Sequence, residues 1–233
     1  MSLATLAPVA LVVTGMAACS GLDTGNADPG YVELALAADD KDPVDQTGNV
    51  FVLATARAHV RHVELYLPTG VSCEGFAGCD GDKIRVDGPW DVDLLTGHAT
   101  PAFPRVEVPL GTYRRIDIRF EPDDDDVTLA ATGTVADDDD DDVSPFSLAL
   151  DFNETARFET PAGIVVGADA VQDAVARLDP AGWFAALPLV DCAGNGEIPI
   201  ENGTIIITDG SGSCSEVEGV VRDAIKGSGR LED

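Results

Sequence analysis

The chain has 233 residues, with 42 acidic and 14 basic side chains, a formal net charge of −28 and a pI near 4.1. That balance excludes nucleic acid as a partner, since phosphate binding requires clustered Lys and Arg, and it argues against anionic lipid headgroups on the same grounds. Apolar residues make up 45% of the chain, too many for its bulk to be disordered. The acid excess has two readings, solubility in a salty medium and calcium ligation by carboxylate and carbonyl oxygens; the first is the simpler.

The first nineteen residues, MSLATLAPVALVVTGMAAC, carry no charged group. Residues 3–13 form a mostly apolar run, too short to span a bilayer, which takes about 20 residues, but of the right length for a signal-peptide core. The run leads to Met16-Ala17-Ala18-Cys19, which resembles the lipobox of exported lipoproteins, with Met where Leu is usual. The resemblance implies a diacylglycerol on Cys19 and cleavage just before it. The basic segment that normally opens such a signal is missing, so either the signal is atypical or the start codon lies upstream. Residues 20–30 (SGLDTGNADPG) are small, polar and aperiodic, and read as a flexible tether. A single domain is expected over residues 31–233.

From residue 31 the pattern becomes strand-like. Residues 31–36 make a short apolar strand that stops at an Asp-rich turn. Residues 51–67 make a long one, in which Arg57, His59 and Arg61 alternate with Ala58 and Val60, after which the phase flips to Val63, Leu65 and Leu67. A slip of this kind predicts a β-bulge near His62. Further strands are expected at 83–86, 90–95, 105–108, 113–120, 127–135, 145–152, 156–159, 164–166 and 171–178, separated by Gly, Pro, Asp or Asn. Within 113–120 the set Arg114, Ile116, Ile118 and Phe120 is expected to face the core. Two aspartate runs, 123–126 and 137–142, flank one strand and are expected at solvated loop tips. Many short strands with turns between them define an all-β fold, an antiparallel sandwich or barrel. One helix is expected, at 215–226. Ser215 is its N-cap, Val217, Val220, Val221, Ala224 and Ile225 form its apolar stripe, and Gly227 ends it.

Five cysteines leave one over in an exported chain. With Cys19 given to the lipid, Cys73, Cys79, Cys192 and Cys214 remain. The local pairing, Cys73–Cys79 and Cys192–Cys214, is expected in an oxidising compartment. The CEGFAGC segment carries Gly75 and Gly78 and closes as a tight loop. There is no CxxC, and the histidines lie far from the cysteines, which argues against zinc.

The segment Trp90-Asp91-Val92-Asp93-Leu94-Leu95, followed by Val108-Pro109-Leu110-Gly111-Thr112-Tyr113-Arg114-Arg115-Ile116, resembles a family of uncharacterised bacterial lipoproteins. Its pattern is a DLL strand and then P-x-G-x-Y-x-x-I. Asp179-Pro180-Ala181-Gly182-Trp183-Phe184 is similar to a tryptophan segment of the same family. The resemblance spans roughly residues 30–233 and implies a transthyretin-like (prealbumin-like) β-sandwich in an envelope lipoprotein. It implies no activity.

No catalytic set is legible. There is no GxSxG elbow, and Ser211 in DGSGSC reads as a glycine-rich turn. His59 and His62, three apart on a strand, are expected on opposite faces, which disfavours a shared metal. Three Gly-containing acidic stretches could hold calcium: Asp80, Asp82 and Asp87; Asp87, Asp91 and Asp93 around Trp90; and Asp191, Asn195 and Glu197. None has EF-hand spacing. An exposed Trp90 would stack on a sugar ring, although core packing is the plainer reading. The expectation is a non-enzymatic, monomeric protein of the cell envelope with no cofactor unless calcium. A lipid holds it on a membrane, the outer one because Ser20 rather than Asp follows Cys19, where it meets an unknown protein or glycan partner. The alternative is a calcium-stabilised adhesion or glycan-binding module.

Overall fold

The computed structural model describes residues 29–122, 127–136 and 143–233. Cys19 and the signal segment, residues 20–28 of the tether, and both aspartate runs lie outside the described residues. In chain order the strands are β1 Gly30–Ala38, β2 Val50–Tyr66, β3 Cys79–Asp80, β4 Lys83–Asp93, β5 His98–Thr100, β6 Arg105–Val108 and β7 Gly111–Phe120. They continue with β8 Leu129–Ala136, β9 Val143–Leu150, β10 Glu154–Val166, β11 Val171–Leu178, β12 Ile200–Glu201, β13 Thr204–Ile207 and β14 Arg230–Glu232. Helix α1, Leu189–Gly194, lies between β11 and β12, and helix α2, Val217–Ser228, lies between β13 and β14.

All the strands join one hydrogen-bonded sheet. Its path is β12-β13-β9-β8-β2-β7-β10-β14-β11-β1-β6, with β4 branching from β2 and carrying β3 and β5. The branch follows from the length of β2. Its first half pairs with β8, its second half pairs with β7, and β4 lies along the other side. The partner switch falls at a register shift between Val60 and His62, where the bulge was expected. Bulges of this kind bend a strand and raise its twist, which lets one strand serve two neighbours.

The sheet wraps one hydrophobic core. Phe51 of β2 meets Phe146 of β9 and Phe184 edge-on, with ring centroids 5.2 and 4.9 Å apart. The ends of β1 and β4, distant in the strand order, are tied by the Ala38 N–H donating to the Leu94 carbonyl at 2.7 Å.

Several expectations are corrected. The pairing is mixed: β1–β11, β9–β13 and β10–β14 are parallel. Alternation reports which face is buried, not strand direction, and strands far apart in sequence are free of the hairpin constraint that makes neighbours antiparallel. The segments 83–86 and 90–95 are one strand, and so are 156–159 and 164–166, because the Gly and Pro between them make irregularities rather than ends. Helix α1 was not expected, since DCAGNGE reads as a turn. Helix α2 starts at Val217, not 215, and ends before Gly229, not at Gly227. Ser215 is spent in the 3₁₀ turn Gly212–Cys214, and the helix is capped from a distance by Asp209, which accepts the Glu218 N–H at 2.8 Å. Its buried stripe is Val217, Val221 and Ile225.

The four cysteines pair locally. Cys73–Cys79 closes the loop that leads into β3, with Cα atoms 5.4 Å apart. Cys192–Cys214 joins α1 to the turn before α2, with Cα atoms 6.3 Å apart. Each bridge constrains the unfolded chain, and the Cys192–Cys214 bridge, which closes the longer loop, does so more than Cys73–Cys79.

Candidate functional site

The outer face of β4, β2, β7 and β10 gathers an unusual share of the chain's few cations. Register alone places them: Glu64 sits between Arg85 and Asp117, His62 between Asp87 and Arg119, and Arg157 beside Asp117. The bulge decides the histidines. Ala58 and Val60 face the core before it, and Val63 and Leu65 after it. The slip therefore places His59, which is buried, and His62, which is partly exposed, on the same side of the sheet, away from Val60 and Val63, correcting the expectation of opposite faces. Period-two counting fails across a bulge.

These groups form a paired lattice. Lys83 donates to Glu64 at 2.8 Å, Arg85 to Asp87 at 2.7 Å, Arg115 to Asp117 at 2.8 Å and Arg119 to Glu121 at 3.0 Å. Arg157 stands 3.8 Å from Asp117. His59 Nδ1 lies 3.2 Å from Asp91 Oδ1, and His62 Nε2 lies 3.7 Å from Glu64. Glu64 and Asp117 are 8% and 6% exposed, and each is met by one or more of these cations. The hydrogen bond to Glu64 raises the Lys83 pKa, and the one to Asp117 raises that of Arg115. Burial, then the Arg85 charge, lowers the His62 pKa below its ordinary 6.5, which favours the neutral ring. The arrangement holds strands together and fixes side chains.

The residues singled out as calcium ligands are dispersed. Asp80, on β3, stands 3.9 Å from Lys83, and Asp82 lies in the turn before β4. Asp87 pairs with Arg85 and Asp91 with His59. Asp93 accepts the N–H groups of Leu95 and Thr96, closing the turn after β4. Asp191 lies on α1, Asn195 ends that helix, and Glu197 accepts the Ser213 N–H at 2.8 Å. Asp191 to Glu197 is thus a helix and its exit, not a ligand loop. Among the described residues, no three His, Cys, Asp or Glu side chains converge as metal ligands.

Trp90 is corrected too. It is 3% exposed and packs on Phe103 with ring centroids 4.8 Å apart, so it offers no ring face to a sugar. Trp183 and Phe184 are fully buried, and Asp179 caps the 3₁₀ turn Pro180–Gly182 before them, accepting the Ala181 N–H at 3.1 Å.

Together these features define an all-β, disulfide-braced domain with a strongly acidic exterior. No family model matches the chain, and no curated protein matches it. Among solved structures it is similar to MbnP from Methylosinus trichosporium, with 15% identity over 69% of this chain and 78% of that one, and a TM-score of 0.31. A likeness this distant carries no argument about function.

Proposed function

We propose that the chain is an exported lipoprotein of the bacterial envelope, held on the outer membrane by a lipid on Cys19, with a monomeric domain that has a binding or structural role and no catalysis. It belongs with the uncharacterised lipoproteins whose DLL and P-x-G-x-Y-x-x-I motifs it resembles, and its domain is a sandwich of the transthyretin type. The observation that carries the reading is the cysteine arithmetic. Four cysteines are consumed by two disulfides, which persist in oxidising compartments outside the cytoplasm. The fifth stands at the end of a signal-like apolar run, after two alanines. The shared core between the ends of β1 and β4 supports the sandwich.

Growing cells fed a labelled palmitate provide the test. The label is expected on the protein and in the membrane fraction, and Cys19→Ser is expected to lose the label and release the protein. A label that survives the substitution would contradict the reading.

A further inference from the structure

Arg114 and Arg115 follow each other in sequence, yet both emerge on the outer side of β7. A regular strand would send them to opposite faces. The alternation breaks because β10 bulges opposite them: Arg115 pairs with Glu159 and Tyr113 with Ile164, leaving residues 160–163 without partners. The break reverses the expected facing of the first residues of β7. Tyr113 is buried, its hydroxyl donating to the Pro109 carbonyl at 2.8 Å and its pKa raised by burial, while Arg114 is exposed. Bulges recur where a strand must re-aim side chains at a ligand.

The two arginines are not equivalent. Arg115 lies over the Tyr66 ring, 3.8 Å from its centroid, and is paired with Asp117. The Arg114 Nε donates to the Pro161 carbonyl of the bulge at 3.1 Å, and its guanidinium makes no ion pair among the described residues. Between β7 and the end of β2 runs a groove of about 420 Å³, lined by Tyr66, Pro68, Thr69, Thr112, Arg114 and Arg115. Its wall requires glycine at position 163. There φ is +78°, and a Cβ would come within 2.3 Å of the Thr112 methyl and 3.0 Å of Arg114 Cγ.

We propose that this groove binds a small ligand carrying one carboxylate beside hydroxyls, the chemistry of a sugar acid. The Arg114 fork matches a carboxylate, which takes two parallel N–H bonds from a guanidinium. Thr69 and Thr112 supply hydroxyls that donate and accept. The volume lies within the range of small-ligand sites, about 300–1,000 Å³, and admits a single ring. The charge of the rest of the chain, −28 in all, repels a long polyanion most and a single carboxylate least, and Arg114 makes no ion pair among the described residues that such a carboxylate would have to displace. The proposal rests on the binding part of the proposed role and not on the lipid anchor, so its failure leaves the palmitate result untouched.

Calorimetric titration of the full-length protein in detergent, with glucuronate, glucose and inorganic phosphate as the probes, tests it. Glucuronate is expected to saturate one site and bind more tightly than either of the others. Arg114→Met should weaken it by about tenfold or more, with Arg114→Lys intermediate, because a lysine keeps the charge and loses the fork. Both variants should melt at the wild-type temperature, since the side chain is exposed. Absence of saturable glucuronate binding overturns the proposal. So does equal affinity for glucose or phosphate, or unchanged affinity in Arg114→Met.

Discussion

Thr128 stands where the ladder between β8 and β9 begins, and its hydroxyl replaces a rung. It donates to the Phe152 carbonyl at 2.6 Å and accepts the Phe152 N–H at 2.9 Å, in a fully buried position. Thr128→Val keeps the shape and strands both backbone groups of Phe152. A loss of about 1–3 kcal/mol is expected, the cost of a buried group left unsatisfied, read from urea unfolding; a change within noise would mean that water satisfies them. Asp45 plays a comparable part elsewhere. It is buried and accepts the N–H groups of Thr47 at 2.9 Å, Asn49 at 3.0 Å and Val190 at 3.4 Å, which docks its loop onto the start of α1. Neither role is visible in the sequence. An Asp in DQTGN and a Thr beside an aspartate run look like ordinary turn residues, and only tertiary partners distinguish them.

At the level of the element, the outer face of β2 shows what patterning reveals and where it stops. The phase flip between Val60 and Val63 located the bulge, because burial imposes a strict period of two on either side. The facing of His62 is not legible from that period, which does not carry through the register shift between Val60 and His62. The bulge in β10 had a signal as well: Thr160-Pro161-Ala162-Gly163 sits between two short apolar runs, and reading it as a strand end hid the pairing of Arg114 with Arg115 on one face. The position of His62 gives a pH prediction. Its folded pKa lies below the ordinary 6.5, so the unfolded chain binds the proton more readily. Stability is therefore unaffected by this group at higher pH and falls as pH drops through 6.5 toward the folded value. Glu64 and Asp87 partly oppose the shift, while Arg119 adds to it. His62→Gln should lose less stability than the wild type between about pH 7 and about pH 5.5, measured by urea unfolding. Equal losses would show that the ring titrates normally. Asp179 and Glu232, whose pKa values are lowered by Lys41 and Arg230, stabilise the fold throughout the pH range above the ordinary carboxylate values, and that stabilisation is lost only in acid, as pH falls through the lowered values.

For the whole molecule, the two disulfides suggest an oxidising, extracytoplasmic environment. The described carboxylates singled out as metal ligands are engaged by Arg85, Lys83, His59 and backbone N–H groups, or are spread over separate turns. The all-β class, the disulfide connectivity and most strand positions were legible because each rests on local information: alternation, turn residues and short loops. The parallel pairs and the branch at β4 were not, since they join strands separated by other elements, such as Tyr31 with Val171 or Phe146 with Ile205, or make one strand serve three partners. The measurement that tests the central claim most directly is the intact mass of the protein extracted from its own membrane. The account predicts a chain that begins at Cys19, carries a diacylglycerol and lacks the hydrogens of four thiols joined in two disulfides. A chain that still carries residues 1–18, or an unmodified Cys19, would contradict it.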